Sequence, residues 1–567
     1  MSLLAVGAQD QYLTTAPEMT YFKQVYRRST KFSMQSIRTT FLSDPVLSPS
    51  SSTTYTCKIG RFGDLLKDIF FSFETPPIYS NGTYRFRWIP KLGNYILLSY
   101  SVSVDSILLD KRWGDWLDVW NELSLSNDQK ISYDKMTGNV NQLNNPQVTD
   151  NIVRIVKNKL EYQTYYIASD INTPSIPSTR IYVPLDFWFT KNPSLALPLI
   201  GLQYQTVNIT VELRGLNELY QIYDDQFQGY LSPDKFKSLP AVASNIASGR
   251  LGLASPVNIQ DFSKYGGGGS SFLSINAYLE CNYIFLDTDE RRYIASTSID
   301  YLVERVSRSQ TNGINTRYTI DLDLSNPVKE IIWTTQRSDV KDYNSFNNYT
   351  ASQPEDLNTP ILSSAGMLWN GVERLEEKPA AYFNLLQPYS FHTCSPREGI
   401  YVYSFALHPE KIQPSGTFNA SMINTIQLYV NTNKYVPNNY DLNLNFITIG
   451  CTSTDQITGW ITCDNTAGLY FNMPVTFEGS LPYPLNQYPY LYYVNKIDQQ
   501  HNIFTISSIS IGSISAPVTN VIVQPVTKPF KMNIPKQTPI DYTVTVYSIY
   551  YNIFRIISGT GGLVFAT

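Results

Sequence analysis

Charge is scarce in this chain. Asp, Glu, Lys and Arg together make 16% of its 567 residues, against about a quarter in an ordinary soluble domain. The net charge is −4, and no Lys/Arg block or basic tail stands out. A broad phosphate-tracking surface is therefore excluded, and direct nucleic-acid binding with it. Histidine is rarer still: His392, His408 and His501 are the three in the chain. None has a partner at metal-ligand spacing, so neither a metal centre nor a histidine acid–base site is expected. The five cysteines, Cys57, Cys281, Cys394, Cys451 and Cys463, are odd in number and contain no C-x-x-C pair. They read as structural thiols; Cys451 and Cys463 are placed on neighbouring strands, with a disulfide the lesser reading.

Long apolar runs are also missing. No stretch reaches the roughly 18–20 residues that cross a bilayer, and the densest, Ile96 to Leu109, is broken by Ser and Asp. The opening MSLLAVGAQDQYL lacks the basic start and long apolar run of a signal peptide. The expectation is a soluble chain made in a reducing compartment. No G-x-S-x-G or H-E-x-x-H run occurs. Tyr265-Gly-Gly-Gly-Gly-Ser-Ser271 has no phosphate-loop lysine and reads as a linker.

Aromatics, by contrast, reach 14%, with 42 Tyr, and hydrophobic residues 43%. That composition suits pleated, half-buried strands. Strict alternation runs through Leu98–Val104, Val207–Leu213 and Tyr542–Tyr547, each giving one apolar and one polar face. Helices are few. Trp113, Trp116, Leu117 and Trp120 fall on one helical face. A second helix follows Asp287, which can cap it, with Glu290 in a capping-box-like place. The acidic group Asp287, Asp289 and Glu290 reads as that cap plus ion pairs to Arg291 and Arg292 rather than as a metal site. Periodicity fades over 214–270, and a stretch at 430–530 rich in Asn, Thr, Tyr and Pro reads as a separate small β unit. Of the N-x-[ST] sequons at Asn81, Asn208, Asn348 and Asn419, Asn208 falls in an expected strand and is read as chance.

Several runs resemble the major capsid proteins of nucleocytoplasmic large DNA viruses. The opening is Gly7-Ala-Gln-Asp-Gln-Tyr-Leu13 followed by Thr20-Tyr-Phe-Lys-Gln-Val-Tyr-Arg-Arg28. The run Phe187-Trp-Phe-Thr-Lys-Asn-Pro-Ser-Leu-Ala-Leu-Pro-Leu-Ile-Gly-Leu-Gln203 is similar to that family's signature at the end of the first barrel. Phe285–Arg292, Asn326-Pro-Val-Lys-Glu330, Tyr382-Phe-Asn384, Gln387-Pro-Tyr389, Tyr403–Leu407, Gln413–Gly416 and Tyr551–Leu563 follow in the family's order. The 430–530 stretch departs from the family. Its runs Asn465–Phe477, Tyr492–Lys496 and Asn502–Ile506 resemble small β modules of phage tails and virion surfaces, and a generic antiparallel excursion stands beside that reading.

The resemblance implies an all-β chain of two tandem jelly rolls, each an eight-stranded sandwich, with a small β insertion in the second. The expected order is an arm over 1–27, jelly roll 1 over 28–213, a linker and loop region over 214–270, and jelly roll 2 over 271–567 containing the 430–530 cap. It also implies a homotrimer, a pseudo-hexagonal block of six barrels in an icosahedral virion, contacting neighbouring capsomers and minor capsid proteins. The cap is expected on the outer face and the arm on the inner. No catalytic, cofactor-binding or metal-binding residue is assigned, and no cofactor. An inner virion membrane would be met only through other proteins. The alternatives are a minor or penton-type capsid protein, or a glycan-binding attachment protein working through the 430–530 insert.

Overall fold

The computed structural model describes residues 7–24, 26–80, 85–156, 159–166, 173–224, 229–238, 259–262, 272–352, 359–433, 446–455, 459–466, 469, 474–479, 492–507, 530–535 and 541–565. The glycine run Tyr265–Ser271 and the sequon Asn81 lie outside them.

Eight strands build the first sandwich: β1 (Phe32–Thr39), β2 (Thr53–Lys58), β3 (Leu65–Thr75), β4 (Leu97–Val104), β5 (Ile107–Trp113), β6 (Thr179–Pro184), β7 (Val207–Leu213) and β8 (Tyr278–Leu286). One sheet runs β1-β8-β3-β6 and the other β2-β7-β4-β5, all antiparallel. The first strand lies beside the last in one sheet, and the second beside the seventh in the other. That is a jelly roll. Alternation decides which side chains go inside. In β7, Val207, Ile209, Val211 and Leu213 are buried and the residues between them half-buried. They meet Phe71, Phe73, Val183, Leu279 and Cys281 of the facing sheet in one core.

The second sandwich repeats the plan. Its strands are β9 (Ile299–Ile314), β10 (Arg317–Asp321), β11 (Pro327–Arg337), β12 (Leu362–Trp369), β13 (Val372–Pro379), β14 (Ile400–Ser404) and β15 (Ile426–Thr432), with Tyr542–Ile557 as the last. Between β15 and that last strand lies a closed barrel of β16 (Phe446–Thr454), β17 (Ile461–Cys463), β18 (Pro474–Gly479), β19 (Tyr492–Asp498), β20 (Ile503–Ser507) and β21 (Phe530–Pro535). It has a core of its own around Val475, Val494, Phe504 and Met532. Numbering the last strand β22, the sheets are β9-β22-β11-β14 and β10-β15-β12-β13. The strand order of the first sandwich recurs position for position.

Three sequence expectations need correction. The first sandwich does not end at 213, nor the second begin at 271. Tyr278–Leu286 pairs with β1 and β3 and is the eighth strand of the first sandwich. Its partners lie more than two hundred residues back, so nothing local in the sequence says which barrel it joins. Nor do the described parts of 214–270, residues 214–224, 229–238 and 259–262, behave as a linker. Leu216, Tyr220, Ile222, Leu231, Phe236, Ile259 and Phe262 are buried in the first core. They sit on short strands, 3₁₀ turns and the six-residue α-helix Pro233–Ser238, too brief to show periodicity. The inserted unit starts after Thr432 and closes with Phe530–Pro535, so residue 430 still belongs to β15 and the barrel runs past 530.

Candidate functional site, the seam between the two sandwiches

Four short helices matter outside the sheets: α1 (Asp10–Thr14), α2 (Gly114–Ser124), α3 (Asn127–Thr137) and α4 (Thr288–Ser296). Helix α2 follows β5 directly, in the connection between the fifth and sixth strands of the first sandwich. It opens on Gly114, where a Cβ would collide with the carbonyl oxygens of Leu97 and Asn94. Only glycine lets the helix start this close to the sheet. Gly114→Ala should therefore cost about 1–3 kcal/mol, read as a fall in the urea midpoint with the slope unchanged.

The apolar residues of α2 serve two cores, not one. Leu117 faces the first sandwich. Trp116, Val119, Trp120 and Leu123 face the second, packing on Val306, Ile332, Ile400, Val402, Tyr547 and Ile549. The Trp116 and Trp120 rings stack at 5.4 Å, and Trp116 meets Tyr547 at 5.3 Å. The helix is thus a wedge between sandwiches rather than an isolated loop excursion. Trp188 supports the same junction further along, touching Tyr301 at 5.9 Å and Phe554 at 5.6 Å. Its neighbours Phe187 and Phe189 stay in the first core.

Around the tryptophans the seam is built of buried charge. Asp118, on α2, accepts hydrogen bonds from Lys91 Nζ at 2.5 Å and Tyr95 Oη at 2.7 Å, and pairs with Arg397 of the second sandwich. Burial pushes its carboxyl up, but Arg397 and Lys91 outweigh that and hold it below the usual value. Asp115 pairs with Arg308 of β9 at 2.8 Å. Glu304 of β9 bridges Lys191 of the first sandwich at 3.0 Å and Lys329 of β11 at 2.5 Å. Burial raises Glu304, yet the two ammonium groups win and bring it to about 2. Arg112, fully buried, joins Asp110 at 3.0 Å and Asp186 at 2.5 Å. A second layer ties the 214–262 connection to the second sandwich: Asn344 Nδ2 donates to the carbonyls of Asn217 and Tyr220 at 2.7 and 2.8 Å.

His392 is part of this seam. It lies between β13 and β14, edge-on to Trp120 at 6.3 Å. Its Nε2 stands 3.0 Å from Glu330 Oε2 and its Nδ1 3.0 Å from Glu410 Oε1, and the ring is wholly buried. Burial alone would lower its pKa, but the two carboxylates raise it from 6.5 to about 9. A group with a raised folded pKa adds stability that is full below its unfolded pKa and lost above the folded one. Seam stability should therefore fall between pH 6.5 and 9, by on the order of 2–3 kcal/mol. Melting temperature against pH checks this, and His392→Gln should flatten that slope.

The other residues singled out from the sequence do not gather. His408 is exposed, and His501 is an exposed side chain 2.8 Å from Asp498. Asp287 does cap α4, accepting from the Thr288 N–H at 2.8 Å, but no reciprocal capping box forms. Arg291 pairs with Asp64 of the first sandwich at 3.1 Å rather than with its acidic neighbours. Asn348 is buried and accepts from the Thr350 N–H. Among the described residues no group of three or more His, Cys, Asp or Glu is arranged to hold a metal, and no helix is long and apolar enough to cross a membrane.

Known proteins share this fold. A family model for the major capsid protein N-terminus matches residues 20–287, and one for the large eukaryotic DNA virus major capsid protein matches 290–455. The major capsid protein of Phaeocystis pouchetii virus is 30% identical over 520 residues, covering 76% of this chain and 92% of that one. The chain belongs to the major capsid protein family of large eukaryotic DNA viruses. The major capsid protein of Pyramimonas orientalis virus is 31% identical, over 76% of this chain and 90% of that one. That of Paramecium bursaria Chlorella virus 1 is 30% identical, over 75% and 85%. Among solved structures, the PBCV-1 virus capsid matches with a TM-score of 0.55 at 21% identity, covering 97% of this chain and all of that one. The Faustovirus major capsid protein matches at 0.52 with 13% identity over 75% and 90%. These structures share the double jelly-roll fold. As a member of the family the chain is a structural protein of the virion capsid.

The seam fixes how one barrel sits against the other. The two family models divide between 287 and 290, where β8 ends. Lys329 and Glu330, which close the family-like run Asn326–Glu330, are both buried at the seam. Sequence reasoning missed Asp118, Glu304, Arg112 and Arg397. No local signal marked them: even Asp118 falls on the side of its helix turned away from Trp116 and Trp120, with Asp115 and Glu122.

Proposed function

We propose that the chain assembles as a homotrimer whose six barrels make one pseudo-hexagonal block of an icosahedral shell. The observation that carries this reading is the repeated strand order of the two sandwiches joined by a buried, charge-locked seam. Two like barrels held at one angle supply one third of a six-fold outline, and a heterologous interface closes three copies into a ring. Exposed apolar side chains supply surface for that contact: Leu385, Leu386 and Tyr389 on the second sandwich, Phe62 and Tyr204 on the first. Such groups on a soluble protein mark interaction faces.

The arm fits a role in contact with neighbouring capsomers or minor capsid proteins. Tyr12, Leu13, Tyr21, Phe22 and Tyr26 are all exposed on it, and they call for cover by another chain. We place the arm on the inner face and the inserted barrel on the outer face. In this reading the chain contributes shape rather than chemistry, and it takes no cofactor.

Light scattering coupled to size exclusion tests the proposal. A mass three times that of the chain is the expected result. A stable monomer at high concentration would move the chain to a minor-capsid or attachment role. Glycan binding confined to the inserted barrel would point to attachment.

A further inference from the structure

The inserted barrel holds a second feature, independent of how the chain assembles. Cys451 of β16 and Cys463 of β17 are direct register partners on antiparallel strands. Both are buried in the barrel core, and both are free thiols. The hydrogen bonds around them define the kind of pair they form. The Cys463 N–H points away from β16 and donates to the Asn502 carbonyl at 3.0 Å. One step along, the Asp464 N–H donates to the Gly450 carbonyl at 2.9 Å. The ladder bonds therefore flank Cys451 and Cys463 rather than join them. This is the non-hydrogen-bonded type of pair, in which opposing Cα atoms approach to about 4.5 Å and the side chains lie closest. A disulfide spans Cα separations of about 4.4–6.8 Å, so a pair of this type lies within reach once the Cys463 thiol turns from the Asn465 and Asn502 carbonyls to which it donates. One detail supports close approach of the two strands. A Cβ at Gly450 would collide with the Asp464 carboxylate.

We propose that Cys451 and Cys463 form an oxidation-closed clasp across the inserted barrel: dithiol when the chain is made, disulfide once peroxide reaches it. The chemistry balances with hydrogen peroxide as oxidant. The Cys463 sulfur attacks one peroxide oxygen and the O–O bond breaks. The departing hydroxide takes the thiol proton as water, leaving a sulfenic acid. The Cys451 sulfur then attacks Cys463, the S–S bond forms and the S–O bond breaks. The second hydroxide leaves with the Cys451 proton as water. Two thiols lose two electrons and two protons, and one peroxide becomes two waters. Cys463 is the entry point because it retains slight exposure while Cys451 has none. Burial raises both thiols, Cys463 to about 11 and Cys451 further, so closure is slow at neutral pH and faster in alkali. The clasp suits its place. A small closed barrel buries little core, and a cross-link constrains its unfolded state.

The test uses the full chain carrying Cys394→Ser, which removes the most accessible thiol. The protein is treated with hydrogen peroxide or with reductant, alkylated in denaturant, and digested with chymotrypsin without reduction. Cleavage after Trp460 separates the two cysteines. The expected result is one cross-linked species joining the Cys451 and Cys463 peptides, lighter by two hydrogens and split by reductant, with Cys57 and Cys281 still alkylated. The oxidised chain should also resist proteolysis within 446–535 for longer. In Cys451→Ser, Cys463 should run on to sulfinic acid because nothing resolves its sulfenic acid. Full alkylation of both residues after peroxide, or a Cys57–Cys281 cross-link in their place, overturns the proposal. The cross-link is mapped on the chain with both cysteines present, so misfolding of the Cys451→Ser variant leaves that outcome decisive.

Discussion

Asp118→Ala should destabilise the chain by about 3–5 kcal/mol, the usual cost of stranding a buried charge. The stranded group is Arg397. Lys91 keeps a second partner, Glu122, at 2.6 Å, whereas Arg397 crosses the seam chiefly to reach Asp118 and otherwise lies over the Tyr349 ring at 5.1 Å. Arg397→Ala alone should cost a similar amount, since Asp118 then loses its strongest cation. The two changes together should cost far less than their sum, because neither charge is left alone. Urea denaturation of the four proteins in this cycle gives the coupling directly. Additive losses would mean that the pair is not the lock described. Acid should weaken the same seam: Asp118 and Glu304 both have depressed carboxyls, so their contribution is present near neutrality and lost as pH falls through the folded pKa of each. For Glu304 that loss runs from 4.5 down to about 2.

Trp116→Ala and Trp120→Ala should each cost about 3–5 kcal/mol. The more telling change is in how the chain melts. In the parent the two sandwiches share one apolar wedge, so they should unfold together. With both tryptophans cut to alanine the second sandwich loses its cover over Ile332, Val402 and Tyr547. One calorimetric transition should become two, while far-ultraviolet circular dichroism stays β-rich below the first. Trp116→Phe should be mild, since the Trp116 indole N–H makes no hydrogen bond among the described residues and its ring is held by packing. A single unbroken transition in the double variant would place the coupling elsewhere. The 214–262 connection, which reaches the second sandwich through Asn344, would be the next place to look.

Strands with one wet and one dry face were legible without a structure. Val207–Leu213 buries alternate residues as its sequence alternates, and Leu98–Val104 does so from Tyr100 onward, because pleat geometry converts period two into two faces. The stretch Tyr542–Tyr547 extends to Ile557 in the structure and is buried on both faces over most of its length. One face meets the second core and the other the seam. Alternation therefore says where such a strand begins but not how far it runs. Helix α2 shows the same limit. Its apolar spacing was plain, but that one helix serves two cores follows from where β5 leaves it.

From the sequence alone came the all-β character, the two-sandwich plan and the capsid resemblance. These rest on composition, on alternation and on ordered local runs, all of which are written along the chain. Only the tertiary structure decided that Tyr278–Leu286 closes the first sandwich, that Leu216, Tyr220, Ile222, Leu231, Phe236, Ile259 and Phe262 belong to its core, and that Asp118 meets Arg397 and Glu304 meets Lys191 and Lys329. Charged residues are normally on the surface unless paired, and their pairing here spans up to 279 positions of sequence. Long-range partners leave no local trace: an aspartate destined for water and one destined for a buried arginine are the same letter, and only the fold, by bringing distant segments together, sets their environment.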